Sequence, residues 1–125
     1  MLLPSELYIT DYTHFISDLY RSGNAQHPRF DHARPGHDAH IYETNGVKWI
    51  RADGNGISAF TTYDQTQKNW WKIPAGTDIP AGIKLVRDMR PGFEHHHMMA
   101  PEHDMLLTEY AMLLDQVRLH CQKVT

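Results

Sequence analysis

Residues Phe93–Asp104 read FEHHHMMAPEHD: three consecutive histidines, an apolar run, a proline, and a fourth histidine between two acids. As a strand that turns at Pro101 into a helix, the stretch closes an α+β domain. As a cluster of ligands, it is the centre of a metalloprotein. Side chains alternate faces along a strand, so His95 and His97 point one way and His96 the other. A zinc or cupin-type site needs three or four donors at one point. The pair His95/His97 would therefore need His27, His32, His37, His40 or His103 to complete it. A double-stranded cupin barrel also needs further strands after its histidines, and an amphipathic pattern follows here instead. The histidine-rich, cupin-like metal protein is thus the second reading, and no residue is assigned as a metal ligand.

Downstream, Pro101 suits a first helical turn, and Glu102 and Asp104 complement the positive end of a helix. Leu106, Tyr110, Leu113, Leu114, Val117 and Cys121 then recur at i, i+3 or i+4, predicting a long C-terminal helix with one apolar face. Upstream, IYETNGVKWI (41–50) predicts a hairpin, because Asn45-Gly46 suits the positive-φ positions of a type I′ turn. Residues 70–88, WWKIPAGTDIPAGIKLVRD, read as strand, turn, strand, punctuated by Pro74, Gly76, Pro80 and Gly82. Trp70 and Trp71 fall on opposite faces of the first of these strands, and Asp78 shapes the turn. Residues 12–21 fit a helix or a strand ending at Arg21. Residues 22–38, rich in Gly, Pro and His, read as a long loop in which Arg34 and Asp38 can form a salt-bridged anchor.

With 125 residues, of which 41% are hydrophobic, the chain suits one domain with its own core, 1–125. The net charge of −3 comes without a Lys/Arg stripe, which argues against electrostatic binding of nucleic acid. One cysteine, Cys121, excludes an internal disulfide and fits a reducing cytoplasm. The opening MLLPSELYITDYTHF has acids where a signal peptide needs basic residues, and no apolar run approaches a bilayer span. The expected compartment is cytoplasmic, with no membrane association.

The ordered succession LYRSGN (19–24), PRFDHARPGHD (28–38), GNGISAF (54–60), IPAGTDIPAGIKLVRD (73–88) and HHHMMAPEHDM (95–105) resembles the small type VI secretion effector toxins with an ADP-ribosyltransferase-like fold, the Tse-two family. The resemblance spans about residues 17–118. It implies two facing small β-sheets with flanking helices and a cleft between the sheets that takes NAD as substrate. It also implies action in a recipient bacterium's cytoplasm on an unknown macromolecular target, and a small helical immunity protein that covers the cleft. Related transferases cleave the nicotinamide–ribose bond of NAD and pass on ADP-ribose.

Three positions carry over from that resemblance as catalytic. Arg21 matches an arginine at the end of the first strand that anchors the dinucleotide, and its paired donors suit phosphate oxygens. Ser58 matches a serine that supports the cleft. His96 matches the histidine of the last motif, where better-known transferases carry glutamate. Because an imidazolium opposes an oxocarbenium-like centre, His96 has to act in its neutral form, as base or positioner. Glu94 or Glu102 would then supply the missing charge, Glu94 sharing a face with His96 in a regular strand. Ile57 stands where the family has threonine.

Arg21 and Ser58 are expected to bind the cofactor together with Phe60 and Tyr63, whose rings can stack on nicotinamide. Structural alternatives stand beside each: Arg21 as a loop anchor, Ser58 as a turn cap, Phe60 and Tyr63 as core aromatics. A non-catalytic toxin using the same cleft is a further alternative.

Overall fold

A computed structural model describes residues 1–30 and 38–125; His32, Arg34 and His37 lie outside them. A 3₁₀ turn at Pro4–Glu6 leads into β1 (Leu7–Ile9), followed by β2 (Leu19–Ser22), β3 (Ile41–Thr44), β4 (Val47–Ile50), β5 (Ile57–Phe60), β6 (Trp70–Ile73), β7 (Ile83–Asp88) and β8 (His96–Pro101). The chain closes with β9 (Met105–Leu106), α1 (Leu107–Arg118) and β10 (Gln122–Lys123). Among the described residues, one sheet has the order β1-β7-β8-β5-β2-β6-β10 and a smaller one the order β3-β4-β9. Every pairing is antiparallel. Two sheets and a C-terminal helix make the expected α+β architecture.

Period-two alternation gives the large sheet two unlike faces. The registers Ile83↔Pro101, Leu85↔Met99, Ile57↔Met99 and Leu19↔Ile73 put apolar side chains on one face. There they join Ile50 and Met105 of the small sheet and Tyr110, Leu114 and Val117 of α1 in the main core. The other face carries Val86, Met98 and Ala100, covered by Leu2 and Leu7 of the N-terminal segment. Farther along that second face lie Asp88, His96, Ser58, Phe60, Tyr20 and Lys72, which share its parity.

The hairpin at 41–50 forms as expected, with Asn45 at φ 52° and Gly46 at φ 76°. The strand–turn–strand reading of 70–88 holds, Trp70 and Trp71 fall on opposite faces, and residues 12–21 end in a strand rather than a helix. The C-terminal helix begins later than expected. Pro101 is the last residue of β8, where it pairs with Ile83, and Met105–Leu106 add a strand to β4. The Asp104 carboxylate accepts hydrogen bonds from Ala52 N and the Tyr42 hydroxyl instead of facing a helix end. α1 spans 12 residues, and Leu106 and Cys121 of its expected face fall outside it. Among the described residues no helix is long and apolar enough to cross a membrane.

Candidate active site

Strands β5, β7 and β8 lie side by side, and their register assembles a chain of polar side chains on the second face. Ser58 stands opposite Met98 and Phe60 opposite His96, so Ser58 and His96 lie on neighbouring strands, two residues apart. The Ser58 Oγ is 2.7 Å from His96 Nε2. On the other side of the ring, His96 Nδ1 is 2.7 Å from Asp88 Oδ2. The Asp88 side chain is fully shielded from solvent, while that of His96 keeps 15% of its exposure. The tip of the ring can therefore meet a substrate, but the carboxylate cannot.

Arg90 fixes the inner end of this chain. Its Nη2 donates to Asp88 Oδ2 at 2.7 Å, and its Nε and backbone N–H donate to Oδ1, each at 3.0 Å. Burial alone would raise the Asp88 carboxyl, but the hydrogen bonds from Arg90 and His96 outweigh it and hold the group well below the usual carboxylate range. Asp88 is therefore ionised and can only accept, so Nδ1 of His96 carries a proton toward it. In the neutral ring Nε2 is then the acceptor of the Ser58 hydroxyl.

Arg21 reaches the same strand from the other side. By register it opposes Trp71 and shares the face of Leu19 and Ile73. Its Nη1 donates to the Ser58 carbonyl at 2.8 Å and its Nε to the Arg29 carbonyl at 2.9 Å. Serine, arginine and histidine thus converge on β5, but the guanidinium braces the Ser58 peptide from behind. Beside that peptide, Ile57 is fully buried, and its N–H donates to the Tyr110 hydroxyl at 3.0 Å. Tyr110 in turn donates to the Met99 carbonyl. α1 thereby pins β5 to β8 one residue away from Ser58. Burial pushes the Tyr110 hydroxyl well above its ordinary range, so it stays a protonated donor. Gly56 completes the close approach: a Cβ there would stand 2.1 Å from the Met99 carbonyl oxygen.

An aromatic surface flanks the polar chain. The Phe60 ring stacks on His96 at 5.3 Å between centroids, and Tyr63 packs against Tyr20 at 4.6 Å and Trp70 at 6.2 Å. Phe60, Tyr20 and Tyr63 are each half-buried, so their rings can meet a nicotinamide or adenine, and Lys72, opposite Tyr20, can meet a pyrophosphate. These groups suit a dinucleotide.

Neither expected acid accompanies His96. Glu94 precedes β8, accepts a hydrogen bond from Gly92 N, and lines a cavity of about 290 Å³ with Arg87 and His97, which lie on the opposite face. Glu102 sits past the far end of β8, 3.7 Å from Lys84. Among the described residues no three His, Cys, Asp or Glu side chains gather as a metal site. His95 lies before the strand, near the Thr61 hydroxyl.

Asp88, Arg90 and Lys72 were not singled out from sequence. For Asp88 a signal existed: in IKLVRD, Lys84, Val86 and Asp88 alternate with Ile83, Leu85 and Arg87. That places the acid on one face of a strand, although only the pairing with β8 sets it beside His96.

The family described as Tse2 ADP-ribosyltransferase toxin matches residues 17–123, and the chain belongs to that family. No curated protein and no solved structure matches it.

Proposed function

We propose that the protein cleaves the nicotinamide–ribose bond of NAD and transfers ADP-ribose to a macromolecular acceptor, poisoning the cytoplasm of a bacterium into which a secretion system delivers it. The contact between Ser58 and the partly exposed edge of His96, in a chain whose family is that of ADP-ribosyltransferase toxins, carries this reading. His96 Nε2 takes a proton, Asp88 holds the ring, Phe60 and Tyr63 receive the bases, and Lys72 meets the pyrophosphate. Arg21 acts from behind β5 by fixing the Ser58 peptide. A small immunity protein binding over this open face would shut the site in the producing cell.

The test is expression in a bacterial cytoplasm with and without the adjacent reading frame, scoring growth and intracellular NAD together. Wild type should arrest growth and deplete NAD, the neighbouring gene should restore both, and His96→Ala should do neither. Growth arrest that persists in His96→Ala with NAD intact would instead favour a non-catalytic toxin acting through the same face.

A further inference from the structure

We propose that Ser58 is a nucleophile, the residue that itself takes the ribosyl group before it is passed on. The inference rests on the NAD-cleaving reading and deepens it. A departing nicotinamide leaves positive charge at C1′ of the ribose, and something anionic has to face it. His96 cannot, and Asp88 is not available: both of its oxygens are occupied by Arg90 and His96, and it is walled off from solvent. Glu94 and Glu102 are engaged elsewhere. Among the described residues, the atom beside His96 left to develop negative charge is Ser58 Oγ, whose proton has an acceptor 2.7 Å away.

A hydroxyl, an imidazole and an ionised carboxylate in sequence form the arrangement that activates serine in hydrolases of unrelated fold. Here it is built across three adjacent strands, with Arg90 behind the carboxylate and the Arg21 brace holding the serine's peptide. The serine alkoxide that develops as the proton moves supplies the negative charge that His96, at the position of the glutamate in better-known transferases, does not.

The step balances as follows. The Oγ–C1′ bond forms while the C1′–N bond breaks, and the bonding pair leaves with the ring nitrogen, which becomes neutral nicotinamide. The hydroxyl proton passes to His96 Nε2. An acceptor hydroxyl, water included, then attacks C1′, and the Oγ–C1′ pair returns to Oγ. The imidazolium proton restores the serine, and the acceptor's own proton goes to solvent. The net result is transfer of ADP-ribose with release of nicotinamide and one proton. Two displacements retain the β configuration at C1′, whereas direct attack by an external acceptor inverts it.

The decisive experiment incubates the purified full chain with NAD in the presence of methanol, determines the anomer of methyl ADP-ribose formed, and maps acid-quenched protein by mass spectrometry. Expected are the β-methyl product and an ADP-ribosyl adduct on Ser58. Ser58→Ala should lose the adduct and at least about a hundredfold in nicotinamide release. A readout free of NAD accompanies it: ¹⁵N NMR of the protein alone should show His96 protonated at Nδ1 with Nε2 as acceptor, and Asp88→Asn should abolish that preference. Nicotinamide release giving the α-methyl product without an adduct would leave the transferase reading standing and overturn the nucleophilic serine. No nicotinamide release at all would overturn both.

Discussion

Asp88 is a buried anion whose stability contribution can be separated from its catalytic one by pH. Its carboxyl is depressed in the folded chain, whereas an unfolded aspartate titrates at about 3.9. A depressed acid stabilises the fold fully above the unfolded value, and that contribution drains away as pH falls through the folded one. Asp88→Asn should therefore be less stable than wild type at pH 7, by about 3 kcal/mol as for a broken buried pair. The gap should narrow steadily below about pH 4. Urea midpoints measured from pH 7 downward check this, and a gap independent of pH would assign the loss to packing.

Arg21 poses a related question with a kinetic answer. As a brace on the Ser58 and Arg29 carbonyls, its removal should cost about 2 kcal/mol of stability and lower kcat. An anchor for the dinucleotide would instead raise KM with the melting temperature unmoved. Arg21→Ala is expected to follow the first pattern. The sequence marked Arg21, Ser58 and His96 through ordered motifs, and two of the three do meet side chain to side chain. It could not mark the face from which arginine arrives, because that is set by pairing across β2, β5 and β6, far apart in the chain.

At the scale of elements, local rules held where the structure is local. Asn45-Gly46 makes its turn within a few residues, so the hairpin was legible. The helix start was not, since Pro101 obeys two rules at once: it suits a first helical turn, and equally the end of a strand that needs no further N–H donor. Long-range pairing decided between them, because Met105 and Leu106 found β4. α1 in turn reaches the site through one atom, the Tyr110 hydroxyl between Ile57 N and the Met99 carbonyl. Tyr110→Phe keeps the ring in the core but orphans a buried donor and a buried acceptor, so it should lower stability by about 2 kcal/mol. Because Ile57 adjoins Ser58, nicotinamide release should fall as well, though less than in Ser58→Ala. Thermal melts beside turnover would show both effects, and full activity would mean β5 keeps its place without the helix.

Over the whole molecule, the large sheet divides labour between its faces. One is consumed by the core with α1 and the small sheet, so a substrate must use the other. There the N-terminal segment covers Val86 and Met98 but leaves the polar chain and aromatic rings partly open. Lys72 lies on β6, three strands from β8, hence roughly 14 Å from His96 at the usual spacing of about 4.8 Å between strands. The pyrophosphate lies midway along an extended dinucleotide, and the long lysine side chain can reach back across the sheet toward it, so this cation is the one expected to meet the two phosphates. Because Lys72 is only half-buried and its removal leaves no cavity, Lys72→Ala should leave the melting temperature within about a degree of wild type. Loss of a charged hydrogen bond to phosphate should raise KM for NAD by about tenfold or more, with kcat nearly unchanged. Uniform loss of binding without loss of chemistry is the signature sought. An unchanged KM would mean that the dinucleotide runs along the strands toward Val86, displacing the N-terminal segment, rather than across them.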